Sequence, residues 1–140
     1  MTAVSKPRSI MSFNRLNLAA TLTAIVNIFI HYAPLRRLAI AHGGSPAGPI
    51  VGIFFLGLSY TMFWFFIYRR GSRVANWLFV AVTAFASAGI PFNLPGVLAM
   101  GPAHVLIDGV SFLLQCAAMT MLFRGSAKAW LGRKEMSADA

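Results

Sequence analysis

The amino-acid sequence predicts an all-α membrane protein, an antiparallel bundle of four transmembrane helices. Three observations lead there. Four apolar stretches, at about 16–35, 50–68, 74–92 and 103–123, each match the ~20 helical residues that cross a ~30 Å hydrocarbon core. The chain is 58% hydrophobic and 11% charged, and its charged side chains avoid the middle of every stretch except the last, where Asp108 stands. When the connections are assigned to alternate sides, ten of the twelve Lys and Arg residues fall on one side.

Residues 1–15 form a basic amino-terminal segment with Lys6, Arg8 and Arg15. Basic residues before an apolar run imitate a secretory signal, but this run is too long and no small-residue cleavage site follows it. It is read as an uncleaved first crossing. Ile10, Met11 and Phe13 stand among polar neighbours, so 9–13 is expected to lie as a short interfacial segment at the inner headgroups. The connection from Pro34 to Pro49 carries Arg36 and Arg37 on the outer side.

The second stretch, IVGIFFLGLSYTMFWFFIY, has no polar face, so lipid surrounds it. Gly48 and Gly52 have the GxxxG spacing of close helix packing, and the aromatic run from Phe63 to Tyr68 reads as an interfacial belt. Arg69, Arg70 and Arg73 then make an inner loop. The third stretch has a mild polar stripe of Asn76, Thr83 and Ser87 and leads to the uncharged loop NLPGVLAMGP. Both outer turns contain Pro and Gly, a faint echo of a duplicated hairpin that turn chemistry also explains. After the fourth stretch, 124–140 forms a basic cytoplasmic tail with Trp130 and Leu131 amid Lys and Arg, and MSADA at its end is expected to be disordered.

By the positive-inside rule both termini and the loop from Arg69 to Arg73 are expected in the cytoplasm. The formal charge of +9 does not point to nucleic acid, because the basic residues cap helix ends and form no basic helix. Their expected partners are anionic lipid headgroups at the cytoplasmic face. Cys116 is the only cysteine, so no intrachain disulfide is possible, and it is expected to be a small packing residue.

A polar side chain facing lipid is costly, so the few polar residues mark the faces that meet protein. In the first stretch Asn17, Ala20, Ala24, Asn27 and His31 follow a four-three spacing, and in the fourth so do His104, Asp108, Ser111, Gln115 and Ala118. Opposing these seams puts His31 beside His104, Asn27 beside Asp108, Ala24 beside Ser111, Ala20 beside Gln115 and Asn17 beside Ala118. Helix-packing roles therefore fall to Asn17, Asn27, Asp108, Ser111 and Gln115.

The functional candidate is the outer-side group of His31, His104 and Asp108. Such a group suits a transition metal, and two facing histidines suit a haem held between helices. A protonatable Asp beside His also suits proton or cation handling. The plain alternative is polar glue between two helices, with no cofactor. Catalytic residues are not expected: Glu135 and Asp139 lie in the tail, and Ser111, His104 and Asp108 share one helix, which cannot arrange a nucleophile, base and orienter around a carbonyl.

Arg73, Val74, Ala75, Asn76, Trp77 and Leu78 open the third stretch, and Leu122, Phe123, Ser126, Trp130 and Leu131 close the fourth. In these two segments the chain resembles a loosely defined group of small bacterial four-helix integral membrane proteins with no assigned activity. The resemblance covers about half of the chain and implies a bacterial inner membrane and no catalytic residue. Size and the lack of a soluble module point to a non-enzymatic accessory, assembly or interaction subunit, working with other membrane subunits or with itself. The alternative is a ligand-binding or transport protein that uses the outer-side histidines and aspartate.

Overall fold

A computed structural model describes residues 6–136, with side chains described as far as Leu131. The described residues form α1 (Arg8–Ile30), α2 (Tyr32–Ala41), α3 (Gly48–Phe63, continued by a π-helical turn Trp64–Arg69), α4 (Arg73–Ala99), α5 (Pro102–Leu122) and α6 (Gly125–Met136). Four segments are long and apolar enough to cross a membrane: Arg8–Ile30, Gly48–Arg69, Arg73–Ala99 and Pro102–Leu122. Helices satisfy their own backbone polar groups, as hydrocarbon surroundings require. The four run up and down as a bundle, so the expected fold class is the one observed.

Helix limits differ from the sequence expectation in instructive ways. The first span begins at Arg8, not near residue 16, and Ile10 and Phe13 are 0% exposed. The interfacial reading of 9–13 is therefore wrong, because apolar residues three apart on an extended helix face its neighbours. The span ends at Ile30, little more than one turn before the expected limit. Pro34 has no N–H to give the Ile30 carbonyl, so the ladder breaks there and restarts as α2, in whose first turn a proline is tolerated.

The expected loop after residue 92 is also corrected, since α4 continues through Pro91 and Pro95 to Ala99. Membrane helices accept proline where neighbours and side chains make up the lost bonds. Between the prolines Asn93 Nδ2 adds a bond to the Gly89 carbonyl at 2.9 Å, while the Ser87 and Pro91 carbonyls lose their i+4 backbone donors. Only Met100 and Gly101 separate α4 from α5, with Gly101 at φ +96°, a conformation open to glycine, before Pro102 starts α5. One hairpin thus carries an extra helix and the other a two-residue turn, which removes the similarity between the two connections.

The apolar core sits at the end of the bundle that carries Arg8, Arg69, Arg70 and Arg124, the basic end. Phe13 and Phe63 both meet Phe79 edge to face, with centroids 5.2 and 5.0 Å apart. Ile10, Ile67, Leu122, Ala127 and Leu131 close around them. The tail accordingly folds back as α6 instead of lying free at headgroups: Ser9 and Ser126 hydroxyls are 2.8 Å apart, and Trp130 packs on Gly71. Residues 137–140, which make up MSADA beyond Met136, lie outside the described residues, as does Asp139 with them.

Aromatic side chains of the π-helical turn meet the basic end's cations. Lys6 Nζ lies 3.8 Å from the Tyr68 ring, and the Arg69 and Arg70 guanidinium groups lie over Trp64 and Phe65 at 5.8 and 5.0 Å. Such contacts pin charge at an apolar border. Ser72 accepts from Ala75 N at 3.2 Å and caps α4.

Candidate functional site

Helix α1 packs more extensively on α5 than any other pair of elements pack together. The reason lies in small and polar residues at a four-three spacing on both helices, which let two backbones approach and bond. At the end opposite the basic one, Asn27 Nδ2 donates to Asp108 Oδ1 at 2.6 Å and lies 3.3 Å from the His104 carbonyl. His104 Nε2 is 3.3 Å from Asp108 Oδ2, and the His31 and His104 rings meet edge to face with centroids 4.9 Å apart. His31 Nδ1 turns to the carbonyl of Asn27 at 3.1 Å.

Further along the seam, Ser111 Oγ donates to the carbonyl of Ala20 at 2.9 Å. Helical carbonyls point toward the carboxyl end, so this oxygen sits level with the Ala24 turn that the seam pairing expects. The lower seam is less polar in effect. Asn17 is buried with its Nδ2 unpartnered, and Gln115 is half-buried and adds no bond to α1. These two fill space between the helices and do not bond across the seam.

The network's electrostatics are uneven. Asn27 is 1% exposed, whereas the Asp108 side chain is 44% exposed and turns one side away from the protein. Asp108 lies six residues into α5, about 9 Å below its start at ~1.5 Å per residue. His104 is 5% exposed, and its Nδ1 and the Asn27 Oδ1 are buried without partners. An unmet buried polar atom costs about 1–3 kcal/mol.

The side chains of this group are arranged for hydrogen bonding among themselves. No set of three His, Cys, Asp or Glu side chains among the described residues is placed to hold a metal ion. The His31 and His104 rings stand in direct edge-to-face contact. The arrangement can exchange hydrogen bonds and fix a histidine tautomer. In the tautomer that donates from Nε2 to Asp108, Nδ1 of His104 is an acceptor.

Beside this network lies an open groove of about 600 Å³ that sequence reasoning missed. It is bounded by α2, the start of α3, the proline-containing end of α4 and His104. Two of its polar residues, His42 and Asn93, lie in segments read as loop, and only the folding of those segments into helix ends brings them together. Asn93 between two prolines was the one available signal.

The fold and site define an all-α, multi-pass membrane protein with a polar seam between its first and last spans. Comparisons with protein-family models, with curated proteins and with solved structures return no match.

Proposed function

We propose that the protein is a non-enzymatic accessory, assembly or interaction subunit of a bacterial inner-membrane system, inserted with both termini in the cytoplasm. The observation that carries this reading is Asp108, whose carboxylate is held on one side by Asn27 and His104 and is open on the other. Hydrocarbon offers such a group nothing, and intramembrane carboxylates face protein or water. A polar group of a neighbouring subunit, or of a second copy, meets that need. The excess of ten cationic residues at the basic end against Arg36 and Arg37 at the other supports the orientation. The resemblance of the third and fourth spans to small bacterial membrane proteins supports the compartment.

The test is purification of the tagged chain in mild detergent, wild type beside Asp108→Leu. A stoichiometric partner or self-oligomer that the variant loses, while its helix content is kept, is the expected result. A wild-type chain that runs as a lone monomer, or a complex indifferent to Asp108, sinks the reading. A second reading, ligand binding or proton transport at the His104 end, draws on the open groove beside that residue.

A further inference from the structure

We propose that Arg8 and Arg15 together hold the phosphate of one anionic phospholipid against the exposed side of α1, with an acyl chain lying along Leu18 and Leu22. A basic border attracts headgroups in general, and these two side chains give that attraction an address. The proposal rests on α1 crossing a membrane. It does not depend on a partner at Asp108 or on which compartment the basic end occupies.

Exposure divides α1 into two sides. Phe13, Asn17, Ala20 and Asn27 are buried against other helices, whereas Arg8, Met11, Arg15, Leu18, Leu22 and Val26 follow one another at three- and four-residue steps and are all exposed. Such steps stay on one helix face. In a membrane span that face meets lipid, where an unpaired arginine is costly. Arg15 stands seven residues beyond Arg8, about 10 Å further along the helix at ~1.5 Å per residue. Helical side chains lean toward the amino end, so Arg15 extends toward Arg8 and the membrane border while its methylene stem stays on apolar surface. A phosphate between the two levels accepts from both guanidinium groups, whose planar forks match its oxygens.

Other cations of this end are already engaged: Lys6 lies on the Tyr68 ring, Arg69 on Trp64 and Arg70 on Phe65. The side chains of Arg8 and Arg15 make no hydrogen bond, ion pair or ring contact among the described residues, and Asp108, the one described carboxylate, sits at the far end of the bundle. Charge then selects the headgroup. Two guanidinium groups favour a phosphodiester with a net negative charge, and a headgroup that also carries an ammonium sets a cation against them. The apolar strip from Leu18 to Val26 selects a lipid over free phosphate, which makes no contact with it.

The full chain, purified in a mild non-ionic detergent, is titrated with phosphatidylglycerol and, separately, with phosphatidylcholine, and bound lipid is counted by native mass spectrometry. The first phosphatidylglycerol is expected to bind saturably and about tenfold tighter than phosphatidylcholine. Arg8→Gln with Arg15→Gln should weaken it about tenfold or more, since each Lys or Arg near an anionic surface is worth about fivefold. Arg69→Gln with Arg70→Gln removes the same charge from the same end and should weaken it less than about threefold, because those cations are spent on rings. Should the first double variant lose helix content, Arg15→Gln alone is expected to cost about fivefold. Inorganic phosphate, added at constant ionic strength, should not displace the lipid. Equal affinity for phosphatidylcholine, uptake without saturation, an equal loss in the Arg69 and Arg70 variant, or displacement by inorganic phosphate overturns the proposal, the last by assigning the two arginines to a soluble anion.

Discussion

Asn27 and Asp108, 81 positions apart, are joined by a 2.6 Å hydrogen bond that ties the first span to the last. Asn27 is nearly sealed and the carboxylate is not, so the bond's strength is set between two limits. Hydrogen bonds to charged groups contribute about 1.5–3 kcal/mol in soluble proteins, and interhelical bonds in membranes average about 0.6 with a maximum near 1.7. Asn27→Ala is expected to lower stability by about 1–2 kcal/mol, including the small void it leaves. A double-mutant cycle with Asp108→Ala, read by unfolding in mixed micelles, should give a coupling of about 1 kcal/mol. Strictly additive losses would show that the two side chains meet without stabilising the helix pair.

Phe79 is the hub of the aromatic core and is 1% exposed, while Phe85 on the same helix is 85% exposed. Phe79→Ala removes two edge-to-face partners and opens a cavity among packed side chains, for an expected loss of about 3–5 kcal/mol. Phe85→Ala exchanges only lipid contacts and is expected to change stability by less than about 0.5 kcal/mol. Parallel denaturation of the two variants in the same detergent checks the pair. Equal losses would mean that Phe85 is covered in the assembled state, which the proposed subunit role would then have to explain.

Gly71 holds φ at +66° in the turn between α3 and α4, and a methyl group added there would sit 3.2 Å from Trp130 Nε1. Two penalties follow for Gly71→Ala: about 1–2 kcal/mol for the left-handed backbone and a push against α6. Limited proteolysis should cut the region of Lys128 in this variant faster than in the wild type. Adding Trp130→Ala should relieve the steric part of the stability loss and leave the backbone part. If the double variant is no more stable than the sum of the single losses predicts, Trp130 does not bear on Gly71.

How much of this was readable beforehand depends on which physics set each feature. The pairing of His31 with His104 and of Asn27 with Asp108 followed from spacing alone, because polar groups in hydrocarbon have few places to go. Pro91, Pro95 and Gly96 misled, since these residues punctuate soluble helices yet persist in membrane ones. Ile10, Phe13 and Leu131 were assigned to headgroups because amphipathic ends look alike whether they face lipid or protein. The groove was invisible because its residues come from five helices, and no local pattern marks a space between elements.

Orientation is checked with the chain's single cysteine removed. In a Cys116→Ala background, a cysteine placed at Ser45, in the exposed turn between α2 and α3, should react with a membrane-impermeant maleimide added to intact cells. One placed at Gly125, at the start of α6, should react only after the membrane is opened. The expectation rests on the cationic residues gathered at the Gly125 end, which resist transfer across the bilayer, against Arg36 and Arg37 alone at the other. Replacing Arg36 and Arg37 with Gln should leave the pattern unchanged, because the bias only deepens. Labelling at both sites from outside would place the two ends of the three-span segment between them in one compartment and refute the four-crossing arrangement, and labelling at Gly125 alone would invert it.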